Sequence, residues 1–406
     1  MDKRFFFLGT AVLVAIAVGA VNFAIANQTR RSAVVLAIGI PPQGLAQAGV
    51  ARALYGARLA KNSKASPGAT DLRLANAAFA AEPLAANALP VLVGGFMADG
   101  KPRKGDELLQ LAGQMTRRDR LINAMLIDQE LPKNRPEQVV HLFGRAMAVN
   151  LEVRSFYLER LAAATSLPGS LQALVPMLGR APDWSAEYWG AVVLRPQAVP
   201  QAGLLRLRIA GQPWNQRNVL DTDPELIRAL VEAKQFETAA ALASALGLKR
   251  QPPEILANPS FSSIPRFPPV DWDLLESGEI GVSIDSRTGT LRLSSLPASN
   301  AVVARQLTSL SPGRYRLGWK VSGLDSAPGS ELRVRLACVD PSLSGGKSLD
   351  SALLTNGAGN KVIDVSSSAC RWFWVTVELN TMKVDSGVDV SIDHVSLRRE
   401  AGKAIR

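Results

Sequence analysis

SSACRWFWVTVEL, Ser367–Leu379, decides how the last third of this 406-residue chain folds. Its side chains divide at every second position, the period of a β-strand and not of a helix. Arg371, Phe373, Val375, Val377 and Leu379 share one face; Trp372, Trp374, Thr376 and Glu378 share the other. The first face reads as core. The second has three readings: a second buried face, an exposed aromatic platform for a ligand, or a face covered by another part of the chain. By alternation Cys370 falls on the tryptophan side, a conflict that a bulge or a strand start near Ala369 resolves.

The same period extends in both directions. GVSID, GTLRLSSL, AVVARQLTSL, GRYRLGWKVSG, ELRVRLACVD, NKVIDVSSS and DVSIDHVSL are short alternating runs bounded by Gly, Pro, Ser and Asn turns. With the opening stretch they make about eight strands in about 140 residues, the count of a β-sandwich over 258–400. Trp319 alternates with Tyr315, Leu317 and Val321 and reads as core, whereas Trp272, in the opening loop, suits either face. The chain has two cysteines, Cys338 and Cys370, both in this region. An even pair in an exported chain predicts a disulfide, against the alternative of two unrelated buried thiols. Closing that loop stabilises by roughly 3–4 kcal/mol in the chain-entropy model.

NPSF (258–261), DWDL (271–274), LSPGRYRLGWKV (310–321) and SIDHVSL (391–397) together resemble the jelly-roll of carbohydrate-binding modules. The resemblance implies a structural calcium held by the Asp of the closing strand, matched by Asp393, and by an acid after Asn-x-x-Phe, where Ser262 stands. No other cofactor is expected. Aromatic pairs two residues apart suit stacking on successive pyranose rings, because both surfaces are flat and apolar. Trp372 and Trp374, with Trp272, are therefore the candidate ligand platform.

Upstream the period changes to that of helices. Residues 69–250 hold three segments that align with one another, AAFAAEPLAANALPVL (77–92), GQMTRRDRLINAMLID (113–128) and RAMAVNLEVRSFYLER (145–160). Their offsets bracket the 34-residue period of the tetratricopeptide repeat, which they resemble in degenerate form. Gly100 and Gly105 are expected at the turn between helices, DTDPELIRALVEAKQFETAAALASALGL (221–248) as a further helical hairpin, and Trp184, Tyr188 and Trp189 as core. Residues 251–257, rich in proline, form the linker to the sandwich. Residues 28–68 read as a partly helical Ala/Pro spacer and 401–406 as a basic tail.

At the N-terminus, MDKR precedes a charge-free apolar run ending at Asn27. At about 1.5 Å per residue the run is long enough for a membrane-spanning helix, and Ala24-Ile25-Ala26 suits signal cleavage after Ala26. Both readings export the rest: a single inner-membrane pass with the bulk in the periplasm, or a soluble periplasmic chain. The net charge of +11 sits mainly in residues 28–257, with 27 basic against 19 acidic residues. Such a region attracts acidic polymers or anionic lipid, but no nucleic-acid motif is present and none is expected as a partner.

Catalytic signatures are sparse. His141 and His394 stand in different domains without ligand-spaced partners, so no zinc site is expected. There is no G-x-S-x-G elbow, and VGGFMADGKPRKG (93–105) is not a phosphate-binding loop. The acids of VDWDLLESGEIGVSID suggest a glycosidase pair only if two converge in one cleft. The whole order of export segment, degenerate repeats and jelly-roll resembles envelope proteins of alphaproteobacteria, some of which accompany exopolysaccharide systems. The expectation is a multidomain, non-catalytic envelope scaffold. Its helical repeats engage a protein partner and its β-sandwich a polysaccharide or other envelope component. The alternative is a glycan-active hydrolase or its accessory subunit.

Overall fold

The computed structural model describes residues 3–26, 32–38, 43–133, 135–149, 154–211, 213–214, 222–324, 328–340, 342, 350–365 and 370–400. The basic tail, Asn27, and Pro41-Pro42 lie outside the described residues. The chain divides into two compact units, 1–157 and 158–406.

The first unit is helical: α1 Lys3–Ala26, α2 Ser32–Ile38, α3 Gly44–Lys61, α4 Ala69–Ala81, α5 Leu89–Ala98, α6 Pro102–Met115, α7 Arg120–Glu130 and α8 Pro136–Val149. The helix α9, Arg154–Ala164, carries the unit boundary. The apolar N-terminal run is α1; among the described residues no helix is long and apolar enough to cross a membrane. Helices α4, α6 and α8 begin at residues 69, 102 and 136, steps of 33 and 34. Each of the three aligned segments runs from the end of one helix into the start of the next. Proline in the first turn of α5 and of α6 suits a position whose N–H has no intrahelical acceptor.

Two expectations change in this unit. Gly100 does occupy the α5–α6 turn, with φ +71°, where side chains are strained. Gly105 instead lies inside α6, where a Cβ would come within 3.0 Å of the Met97 side chain. Its smallness serves helix packing, not the turn. Likewise the expected spacer contributes α3 to the core: Ala48, Ala51 and Tyr55 pack with Ala75, Ala78, Ala88 and Val91. The alanine content of the stretch reflects close helix approach.

In the second unit α10 Ser170–Leu178, α11 Ser185–Val193, α12 Val199–Ala210, α13 Asp223–Glu232 and α14 Phe236–Ala245 precede the strands. Trp184, Tyr188 and Trp189 are buried, as expected of core. The Tyr188 hydroxyl lies 2.7 Å from that of Thr165. Arg206 on α12 grips Asp223, at the start of α13, with two N–H···O bonds of 2.8 and 2.9 Å, both residues being buried. The expected hairpin over 221–248 is α13–α14.

The strands are β1 Asp273–Leu274, β2 Ile280–Asp285, β3 Thr290–Ser295, β4 Asn300–Ser309, β5 Gly313–Ser322, β6 Glu331–Cys338, β7 Asp350–Leu353, β8 Gly357–Val365, β9 Trp372–Asn380 and β10 Val388–Arg399. All eight expected strands form; β1 and β7, of two and four residues, are additional. They build two five-stranded antiparallel sheets, β1-β4-β9-β6-β7 and β2-β3-β10-β5-β8. Alternation sends Phe373, Val375, Val377 and Leu379 inward to meet Tyr315, Leu317, Val321, Val390 and Ile392 of the other sheet in one core.

Candidate functional site

Strand β9 begins at Trp372, so Cys370 and Arg371 precede the pleat and escape its alternation. That resolves the conflict raised by the sequence: Arg371 is exposed and is not part of the core face, while Cys370 is buried. Cys338, the last residue of the adjacent β6, is bonded to Cys370 with Cα atoms 6.0 Å apart.

The outward face of β9 is covered at its start, around Trp372, by the helical hairpin of the same unit, whereas Thr376 and Glu378 further along are half-buried. The Phe236 ring, at the start of α14, lies 5.8 Å from the Trp372 ring. The Trp372 indole N–H donates to Glu237 Oε1 at 2.7 Å. This bond holds the Glu237 carboxyl below the ordinary carboxylate range, and the nearby Arg371 acts in the same direction. Trp374 is half-buried beneath the Arg305 guanidinium, 4.9 Å from its ring centroid. Arg305 in turn donates to Asp273 Oδ2 at 3.0 Å, and Arg228 of α13 donates to Asp273 Oδ1 at 3.0 Å. Asp273 is thus a buried carboxylate clamped between helix and sheet. Trp272 is wholly buried, packs on Phe261 and donates to the Asn258 carbonyl. Trp372, Trp374 and Trp272 therefore do not form an exposed platform: two are sealed by packing, and the third lies under an arginine.

The second sheet turns a different face outward. The outward positions of β2, β3, β10, β5 and β8 carry no Phe, Trp or Tyr among the described residues. They hold Arg292, Ser294, Asp389, Arg316, Lys320 and Asn360, all exposed. Two glycines stand directly opposite serines. A Cβ at Gly281 would meet Ser294 Oγ at 2.8 Å, and one at Gly318 would meet Ser396 Oγ at 2.8 Å. Gly318 pairs with Ser396 on one side and Asn360 on the other, and Arg316 and Lys320 flank it along β5. The result is a shallow trough with a small-residue floor and hydrogen-bonding walls, the place on a sheet where another molecule can approach the backbone. Arg316 Nη1 donates to Asn360 Oδ1 at 3.0 Å, which fixes one wall.

The calcium implied by the resemblance does not suit the residues present. Asp393 Oδ2 lies 2.9 Å from Lys320 Nζ, so an ammonium already neutralises the single carboxylate. Ser262 Oγ lies 3.4 Å from Asn258 Oδ1. Among the described residues no group of three His, Cys, Asp or Glu converges on a metal position. His141 lies exposed on α8, and His394 is half-buried in β10. Burial pushes the His394 imidazole below its ordinary pKa; Arg398 adds to this and Glu254 opposes it. Of the acids that suggested a glycosidase pair, Asp273 belongs to the hairpin clamp. Asp271 is held by the Trp272 and Arg266 backbone N–H groups at 2.8 and 3.3 Å.

No protein-family model and no curated protein matches the sequence. Solved structures match at the C-terminal sandwich. TmCBM61 in complex with beta-1,4-galactotriose is 19% identical over 36% of this chain and 99% of that chain, with a TM-score of 0.26. The arabinose-bound MgGH51 α-L-arabinofuranosidase is 15% identical over 37% of this chain and 27% of that chain, with a TM-score of 0.27. A CBM4 structure is 13% identical over 32% of this chain and 88% of that chain, with a TM-score of 0.23. At these scores the matches bear on neither the ligand nor the activity of the chain.

Proposed function

We propose that this is an exported, non-catalytic envelope scaffold whose sandwich contacts polysaccharide through the trough around Gly318. The carrying observation is the asymmetry of the sandwich. The aromatic face is locked to α13–α14, while the opposite face is open, with a small-residue floor between fixed hydrogen-bond donors and acceptors. Sugar hydroxyls are both donors and acceptors, and the Arg316–Asn360 and Lys320–Asp393 pairs offer both kinds of group at fixed spacing. The disulfide supports export, since such bonds persist in oxidising compartments. In this reading α1 is the export segment, and the helical pairs of the first unit hold a protein partner.

The test is affinity electrophoresis of the full chain in mild detergent through gels containing soluble neutral and acidic polysaccharides. Retardation by at least one polymer is expected, and its loss in Lys320→Ala/Asn360→Ala, both exposed positions. Equal mobility of parent and variant in every gel removes the proposal. Release of reducing ends from a retarding polymer would favour the hydrolase alternative instead.

A further inference from the structure

The segment between α14 and β1 forms a second, separate concavity. Beyond the part of β10 that pairs with β3, residues 254–259 run along the same edge of β10. Ile255 N donates to the Leu397 carbonyl at 3.0 Å and Val395 N to the Pro259 carbonyl at 2.8 Å. Ala257 exchanges two hydrogen bonds with the buried Gln306 amide of β4, at 2.8 and 3.1 Å. The segment is thereby pinned to both sheets, and its outer side walls a groove of about 460 Å³. That lies within the range of small-molecule sites.

The charges of the groove are unequal in what they leave free. Its two carboxylates are already satisfied. Glu254 Oε1 accepts from Leu397 N at 2.7 Å and its Oε2 from Arg398 Nε at 3.0 Å. Asp271 accepts two backbone N–H groups; burial raises its carboxyl above the ordinary range, with Arg250 opposing. The cations are not saturated. Arg398 uses Nε on Glu254, and its two terminal nitrogens make no hydrogen bond or ion pair among the described residues. Lys249 and Arg266, both exposed, make no ion pair among the described residues, and the Arg266 guanidinium rests over the Phe267 ring at 5.1 Å. Unsaturated N–H donors around a rigid, net-positive groove favour an anion. The rest of the lining alternates the C–H faces of Pro252, Pro253 and Pro259 with the hydroxyls of Ser260, Ser262 and Ser263. That is the alternation a saccharide ring presents.

We propose that this groove binds the carboxylate of an acidic sugar residue, with Lys249, Arg266 and Arg398 as its anion-recognising groups. The inference rests on the glycan reading and narrows it to acidic glycans. The probes are galacturonate, galactose, acetate and inorganic phosphate, titrated by calorimetry or NMR into the full chain in mild detergent. Galacturonate should bind at least about tenfold more tightly than galactose, acetate or phosphate, and more weakly as salt is raised. Lys249→Ala/Arg266→Ala should weaken galacturonate at least about tenfold while leaving the melting temperature in place, because both side chains are exposed. Equal binding of galactose, preference for phosphate, or an unaffected double variant overturns the inference. The two proposals fail separately. Retention of neutral polysaccharide through the Gly318 trough without galacturonate binding defeats this one alone. Galacturonate binding without retention of any polysaccharide defeats the open-face reading and leaves the groove.

Discussion

The two outer faces of the sandwich are made from the same alternation, yet they end in different states. On β9 the outward residues begin with two tryptophans, Trp372 and Trp374, and leaving these wet would cost roughly 25 cal/mol for each Å² of apolar surface. The chain covers them with α13–α14 and fixes the cover with the Trp372–Glu237 and Arg228–Asp273–Arg305 contacts. On β5 and β10 the outward residues include the exposed Arg316, Lys320 and Arg398, whose charged heads are stable in water without a cover. The lesson is that a strand's outward aromatic pair is an obligation before it is a site. In this protein the helical hairpin meets that obligation, and the free face is the one without aromatics.

Substitutions should separate the two faces by stability. The largest effect is expected for Trp372→Ala/Trp374→Ala. Removing a buried indole costs about 3–5 kcal/mol, and at the size of this unit each kcal/mol is about 2–4 °C in melting temperature. Loss of the pair should also free the hairpin, read as faster amide exchange in α13 and α14. A variant that melts like the parent would show that the face is not sealed in solution, and would reopen the platform reading.

A smaller loss is expected at the clamp. Asp273→Ala leaves the Arg228 and Arg305 guanidinium groups without their shared carboxylate. Both arginines are partly exposed and can turn to water, so the cost should be about 1–3 kcal/mol, below that of a fully buried pair. Arg228→Ala measured alone and with Asp273→Ala gives the coupling between hairpin and sheet. A coupling energy near zero would mean that the aromatic contacts alone hold the hairpin.

These contrasts also show what the sequence carried. Strands β5, β6, β9 and β10 were legible because one buried face imposes alternation on eight or more residues. β1 and β7 were not, since two and four residues leave too little pattern. The cysteine pair was legible from its parity in a chain read as exported. The cover over Trp372 was not legible, because Glu237 is 135 residues away in sequence and nothing local in QFETAA marks it as a sheet contact. The Gly318 trough needs the register of three strands before its glycine meets a serine. Gly105 was misplaced because close helix packing and a turn both select glycine.

A pH change should loosen the sealed face without touching the core. The folded pKa of Glu237 lies below its ordinary value of 4.5. Its stabilising contribution is therefore fully present above that ordinary value and is lost as pH falls through the folded value. Tryptophan emission should shift to longer wavelength as acid opens the Trp372 contact, and Glu237→Gln should reduce the acid-dependent part of the shift. An unchanged acid transition in the variant would assign the shift to other carboxylates.

The smallest stability effect, and the most informative about the open face, is expected for Gly318→Ala. Two opposing effects act on the fold. A methyl group there meets Ser396 Oγ at 2.8 Å, a side chain that can rotate away. Alanine also restricts the unfolded chain, which stabilises by about 0.4–1 kcal/mol where the backbone conformation is compatible. The net change should therefore stay within about 0.5 kcal/mol, the range of ordinary surface substitutions. Retention on polysaccharide responds to the trough and not to the fold, so the same methyl should weaken it by filling the floor between Arg316 and Lys320. Gly318→Ala/Ser396→Gly restores the space while keeping the methyl, and should recover part of the retention. If Gly318→Ala binds as the parent does, the ligand does not approach the backbone at β5, and the open face is only a solvated one. If retention falls in Gly318→Ala and rises again in the double variant at unchanged melting temperature, shape at this one residue governs binding, as an aromatic platform on β9 would not allow.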